Sequence, residues 1–332
     1  MTEAAITPGP TTPEPTAPEP TAPGRVVVLG AGTMGTGIAL AFALAGSTVH
    51  GWSRRTVSIE RAERHLDAAV GDLADLGLLR EPPKAVRHRI RLGTDVRAGM
   101  GDADLVIETI REDLDDKQAL MRQVSGDIPP DAVITSNTSS LALGDIFAEI
   151  PALDRVAGLH WFNPPELIGL VEVVRAPFTS DATMARLTAW MSALGKTPVI
   201  VNNAVPGFIA NRLQYALIRE AYQLVADGVC TPADIDRAVT SGIGARWAAI
   251  GPFQSMDLAG LDVHLAVART LFPDLCGDTS IPEVLNELTS RGALGCKSGS
   301  GLLGTYSESR TADLVRLRAS VLAGLARIKK RP

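Results

Sequence analysis

The sequence predicts an α/β fold, a doubly wound sheet of strands alternating with helices, followed by a smaller all-α domain. Three observations predict it. Short β-branched runs recur between amphipathic segments from residue 25 to residue 201. The first run breaks into glycines spaced Gly30-x-Gly32-x-x-Gly35 and continues as an apolar helix. Beyond Asn202 and Asn203 the strand signals stop, and helical segments separated by glycine and Gly-Pro turns remain.

Residues 1–24 are a short-period repeat of proline, threonine and acid that can bury nothing, so an extended, disordered arm is expected there. It lacks the basic and apolar regions of a signal peptide. Residues 25–204 then form one domain and residues 205–332 a second. In the first strand–turn–helix unit, Gly30 makes the tight turn, Gly32 lets the backbone approach a diphosphate, and Gly35 lets helix and strand pack closely. With Thr33 and Met34 between them, this turn presents backbone N–H groups at a helix N-terminus, the setting of a dinucleotide site.

Residues 47–52 read as the second strand. The position after it often carries an acid that binds the adenosine ribose. Here stand Ser53, Arg54 and Arg55, with no carboxylate to repel a 2′-phosphate and two guanidiniums to pair with one. NADP(H) is therefore favoured over NAD(H). A long helix is expected over residues 59–79, ended by Pro82 and Pro83, with strands at 90–93 and 104–108 and a helix at 114–124 carrying Lys117. Glu108 ends its strand where open α/β sheets bind ligands, and reads equally well as a solvated strand-end acid. A strand at 132–136 runs into Asn137, Thr138, Ser139 and Ser140, small polar residues suited to capping the next helix.

The strand at 155–160 ends on His160, and Pro164 and Pro165 mark a turn after it. In the strand at 170–174, Glu172 shares a face with Leu170 and Val174. A carboxylate among such neighbours is costly without a partner. His160, one strand earlier, is the nearest candidate, and the two together suggest a base and its orienter. A helix at 182–194 and a strand at 198–201 complete the first domain. A long helix is then expected to begin with Pro206 in its first turn, and further helices at 234–240, 263–271, 282–288 and 312–329.

Composition narrows the function. A net charge of −5 argues against nucleic-acid binding, and no apolar run reaches the length of a membrane span. Cys230, Cys276 and Cys296 show no metal spacing, and a reducing cytoplasm is the expected compartment.

Four motifs, in this order, carry a resemblance: Gly30–Gly35, Ser136–Ser140, Gly158–Pro164 with residues 170–173, and Pro206–Arg212. Over residues 25–306 the chain resembles the L-3-hydroxyacyl-CoA dehydrogenase family. The resemblance implies a Rossmann-type domain for a nicotinamide cofactor and a helical domain that closes over substrate and forms a homodimer. It makes His160 the general base in oxidation or proton donor in reduction, with Glu172 orienting it. It makes Ser139 and Asn211 hydrogen-bond donors to the reacting oxygen, and puts Glu108, Lys117 and Asn137 on the cofactor side. The family usually has Asp at Ser53 and Phe at Trp161, and an aromatic pair at Leu302 and Leu303. Glu166 adds a negative charge near where a substrate could lie, and the long tail at 314–330 is similar to that of the branch with the carnitine and gulonate dehydrogenases (the lambda-crystallin relatives).

Three functions follow as expectations. The first is a ketoreductase or dehydrogenase of a 3-oxoacyl/3-hydroxyacyl compound, a thioester or a β-keto acid, as in polyketide tailoring. The second acts on a free β-hydroxy acid of the carnitine or gulonate type, with Arg246 beside Trp247 as the cation for its carboxylate. The third is a structural protein that binds a dinucleotide without catalysis. The third is disfavoured because Ser139, His160, Glu172 and Asn211 are all present.

Overall fold

The computed structural model describes residues 21–329, apart from the Lys329 side chain. Most of the expected arm, residues 1–20, lies outside them.

The order is β1 (Arg25–Leu29), α1 (Thr33–Leu44), β2 (Thr48–Trp52), α2 (Thr56–Asp75), α3 (Pro83–His88), β3 (Ile90–Gly93), β4 (Leu105–Glu108) and α4 (Leu114–Val124). Then come β5 (Val133–Ser136), α5 (Leu143–Ile146), β6 (Val156–Trp161), β7 (Leu170–Val174), α6 (Asp181–Ala193) and β8 (Thr197–Val201). The eight strands form one sheet in the order β3-β2-β1-β4-β5-β6-β7-β8. All neighbours are parallel except β6 and β7, which pair antiparallel. That reversal sets His160 directly opposite Glu172 in the ladder.

Alternation along β1 divides the core. Val26 and Val28 join the apolar layer under α1, α2 and α6, while Val27 and Leu29 join the layer under α4 and α5. Because α1 carries apolar residues all round, Ile38 to Ala43 are buried without exception. Strand order reverses at β1 and β4, and the crevice at their carboxyl ends is where such sheets take ligands.

The C-terminal part contains α7 (Ala210–Ala226), α8 (Pro232–Ala238), α9 (Gly244–Ala249), α10 (Pro252–Ala259), α11 (Leu261–Leu271) and α12 (Glu283–Ser290). A hairpin of β9 (Ser300–Gly301) and β10 (Gly304–Thr305) leads to α13 (Glu308–Lys329). Within this single chain α7 to α12 bury no residue, and Phe253, Leu258, Leu261, Phe272 and Ile281 are all more than half exposed. The end of α13 returns to the first domain, where Arg327 donates to the Leu76 carbonyl.

Several boundaries differ from those expected. The long helix ends at Asp75 because Gly77 (φ +63°) turns the chain, and Pro83 opens α3 instead of only closing α2. Pro206 is not in a helical first turn. Gly207 (φ +78°) and Phe208 (φ +48°) bend the chain, and α7 starts at Ala210. Helices α9 and α10 were not expected, although Pro252 at the start of α10 is a signal for one.

Candidate active site

The glycine turn is built to hold a diphosphate. Gly30 has φ +128°, and a Cβ there would lie 2.6 Å from the Thr109 carbonyl oxygen. A Cβ on Gly35 would come within 1.7 Å of the Gly30 carbonyl oxygen, whereas one on Gly32 would meet nothing within 4 Å. The turn is tight below and open above. Gly32 caps α1 without a side-chain hydrogen bond, so the first N–H groups of the helix, at Thr33, Met34 and Gly35, face that open side as anion donors. These residues fit a dinucleotide. Gly35→Ala should therefore fail twice, losing about 1–3 kcal/mol to overpacking and losing dinucleotide affinity. Thermal melting and cofactor fluorescence titration read the two losses separately.

Beside this turn, the Gly30 N–H donates to the Trp52 carbonyl at 2.9 Å, which brings the end of β2 against it. Ser53 is half-buried there, and Arg54 and Arg55 are exposed.

At the ends of β4 and β5, Glu108 is fully buried. It accepts from Lys117 Nζ at 2.7 and 2.8 Å, the Ile110 N–H at 2.7 Å and Ser136 Oγ at 2.5 Å. Glu108 and Lys117 thus meet each other beneath the surface. The carboxylate that reaches the Thr138–Ser140 loop is Glu112, a residue not singled out from the sequence. Its Oε2 lies 3.3 Å from Lys117 Nζ. Its Oε1 accepts from Thr138 Oγ1 at 2.5 Å and the N–H groups of Ser139 and Ser140 at 3.0 and 3.2 Å. Burial pushes the Glu112 carboxyl up, but the hydrogen bond from Thr138, Lys117 and the serine donors outweigh it and hold it below its ordinary value. The signal in the sequence was an acid five residues before Lys117, hidden among the other acids of the α4 N-terminus.

Asn137 points elsewhere, its Oδ1 accepting the Trp161 N–H at 2.8 Å and so tying the end of β5 to the end of β6. Ser139 is held from a second side, since its carbonyl accepts the Gly207 N–H at 3.1 Å. The small polar run does not cap the next helix. The N-cap of α5 is Ala142, and Thr138 Oγ1 instead accepts the N–H groups of Ser140 and Leu141.

His160 and Glu172 are both buried, with Nδ1 to Oε2 2.7 Å. The other oxygen of Glu172 accepts the N–H groups of Ile209 and Ala210 at 3.0 and 2.8 Å. One carboxylate thus orients the imidazole and caps α7, which explains why α7 begins where it does. Burial acts to raise the Glu172 carboxyl, and the hydrogen bonds from His160, Ala210 and Ile209 overcome it, so the net direction is downward. An ionised Glu172 fixes the proton of His160 on Nδ1 and leaves Nε2 as the nitrogen able to exchange one. The rings of Phe162 and Phe208 stand edge-on to the imidazole at 4.6 and 5.4 Å.

A cleft of ≈ 780 Å³ opens between the Ser139 loop and the C-terminal helices; His160 and Glu172 do not line it, and Glu172 meets it only through the Ile209 and Ala210 N–H groups beside Asn211. Ser139 and Asn211 both line it, Asn211 from the first turn of α7. Arg246, the cation expected for a carboxylate, is exposed on α9 and is not among the residues lining the cleft. No group of His, Cys, Asp and Glu suited to a metal ion occurs among the described residues.

Known proteins resemble this chain over most of its length. A family model described as 3-hydroxyacyl-CoA dehydrogenase, NAD binding domain, matches residues 25–204, and its C-terminal-domain counterpart matches residues 207–304. The chain is 36% identical over 304 residues to the 5-formyl-3-hydroxy-2-methylpyridine 4-carboxylate 5-dehydrogenase of Mesorhizobium japonicum, covering 92% of this chain and 97% of that one. It is 36% identical over 276 residues to an L-carnitine dehydrogenase of Streptomyces coelicolor, covering 82% and 86%. A solved structure of such a pyridine-carboxylate dehydrogenase, described as an NAD+ dependent dismutase, superimposes with TM-score 0.86 at 34% identity, covering 93% of this chain and 99% of that one.

Proposed function

The chain belongs to the 3-hydroxyacyl-CoA dehydrogenase family of oxidoreductases, and from that premise we propose that it interconverts a 3-hydroxy and a 3-oxo compound, as a ketoreductase with NADP(H). The observation that carries the proposal is the buried His160–Glu172 pair, whose carboxylate also holds the start of α7, the helix that brings Asn211 into a cleft with Ser139. The Gly30–Gly35 turn and the N-terminus of α1 hold the diphosphate, and the nicotinamide, when bound, supplies or accepts the hydride. Nε2 of His160 gives a proton to the substrate oxygen in reduction and takes it back in oxidation. Glu172 keeps the imidazole in that tautomer and stabilises the imidazolium before the proton leaves. The Ser139 hydroxyl and the Asn211 amide donate to the same oxygen as its negative charge grows. Glu108 and Lys117 act beneath the surface by fixing Glu112, which in turn fixes the Ser139 loop on the cofactor side.

A homodimer through the C-terminal helices is part of this reading. The exposed apolar surface of α7 to α12 is far more than a solvated monomer carries, and a second copy would cover it. No described helix is long and apolar enough to cross a membrane. A cytoplasmic location is the compartment this reading assigns, and the thioester of a polyketide-type β-keto acid is one candidate substrate.

Cofactor preference is tested together with function by measuring initial rates of reduction of acetoacetyl-CoA and of acetoacetate, with NADPH and with NADH. Faster NADPH oxidation is expected. Replacing Arg54 and Arg55 by alanine should then raise KM for NADPH by about tenfold to a hundredfold and leave KM for NADH nearly unchanged. An NADH preference in the parent, or equal effects on both, would remove the assignment of the arginines to a 2′-phosphate.

A further inference from the structure

The face that α7 turns to the cleft carries more than Asn211. Arg212, Tyr215, Arg219 and Tyr222 all line it, at intervals of three, four and three residues, so they share one face. Neither arginine has an acidic side chain as a hydrogen-bonding partner among the described residues. Arg212 donates only to the Pro206 carbonyl and Arg219 only to the Asp278 carbonyl, each at a long 3.4 Å. Asp278 is the single acid among the lining residues. Its carboxylate oxygens are already engaged, by the Ser280 N–H and the Ser280 hydroxyl, both at 2.8 Å.

The remaining polar groups of the wall are donors or hydroxyls, and Ile218, Ile281, Pro282 and Leu285 supply apolar surface between them. Two guanidiniums and two phenols face a single carboxylate, Asp278, whose charge interacts with Arg219 without a direct hydrogen bond, so the wall keeps an excess of positive charge suited to an anion. Position narrows the choice of anion. Arg219 lies two turns beyond Asn211, about 12 Å along the axis. Long side chains on a helix lean back toward its N-terminus, which brings the guanidinium closer to the reacting centre than its backbone is. A carboxylate on the substrate itself falls within that span. The diphosphate of coenzyme A, at the far end of a pantetheine arm, would lie beyond it.

We propose that Arg219, with the hydroxyls of Tyr215 and Tyr222, binds a free carboxylate carried on a compact apolar substrate, so that this cleft selects an organic acid rather than a thioester. The assignment rests on the reading of the cleft as the substrate site. It gives the carboxylate cation as Arg219 and not Arg246.

The test uses benzoate and its neutral isostere benzamide, titrated calorimetrically into the full chain saturated with cofactor. Benzoate should bind at least tenfold more tightly than benzamide. Arg219→Met should abolish the difference without changing cofactor affinity, and Arg219→Lys should restore part of it. Equal binding of the two probes, no binding of either, or a preference for benzoate that survives in Arg219→Met would overturn the proposal. So would coenzyme A binding that depends on Arg219 while benzoate binding does not. Hydride-transfer assays separate this from the wider reading. A protein that distinguishes benzoate but reduces no ketone sinks the ketoreductase and keeps the carboxylate site, and the reverse result sinks only the carboxylate site.

Discussion

Replacing His160 by alanine is expected to slow turnover roughly 10²–10⁴-fold while cofactor affinity stays at the parental level. The two halves of the prediction come from different parts of the molecule. The imidazole is spent on Glu172 through Nδ1, and its other nitrogen has the freedom to deliver a proton. The glycine turn and the α1 N-terminus belong to elements separate from β6, whose end carries His160. Removing the ring also leaves a void between Phe162 and Phe208, so some stability is lost. His160→Gln, which fills more of that space, should retain the fold and still lack the activity. Stopped-flow measurement of nicotinamide oxidation beside a cofactor titration reads both quantities. Parental turnover in either variant would mean that His160 is not the group that moves the proton.

Glu172→Ala is expected to damage fold and activity together. The carboxylate is fully buried and meets three donors, the imidazole of His160 and the N–H groups of Ile209 and Ala210. Removing one partner of a buried pair costs about 3–5 kcal/mol, because the groups left behind have no water to replace it. Here those groups include the start of α7, so the helix bearing Asn211 loses its cap as well as the His160 imidazole its orienter. Denaturant unfolding gives the stability loss. The pH dependence separates the charge from the shape. In the fold this carboxyl sits below its ordinary value, because the His160 and backbone hydrogen bonds outweigh the burial that would raise it. Its ionisation therefore stabilises the native state above the ordinary carboxylate pKa, and that contribution disappears as pH falls through the lowered native value. Glu172→Gln should flatten this acid limb of the stability curve. A limb as steep as the parent's would mean that another carboxylate carries it.

Much of this was legible in the chain because it rests on local rules. A β-branched run, a glycine turn and an apolar helix can form only one kind of unit, and the structure shows that unit over Arg25–Leu29 and Thr33–Leu44. His160 and Glu172 were visible as partners since both occupy strands whose other residues are apolar, and a charge there demands a partner. What the chain did not disclose depends on tertiary contact. The shift of the α7 start from Pro206 to Ala210 follows from a capping carboxylate 38 residues away. Glu112 was obscured because an acid in a run of acids before a helix normally serves the helix. Its hydrogen bonds to Thr138, Ser139 and Ser140 exist only once β4 and β5 are paired. Arg219 looked like any charge on a helical face until the segment around Asp278 closed a wall against it.

Isotope transfer tests the central claim most directly. The wild-type chain is incubated with NADPH, and separately NADH, carrying deuterium at both C4 positions of the nicotinamide, together with acetoacetyl-CoA or acetoacetate, and the product is examined by mass spectrometry and NMR. The account predicts a single deuterium at C3 of the hydroxy product. Absence of label at that carbon with every combination, while the cofactors still bind, would contradict it.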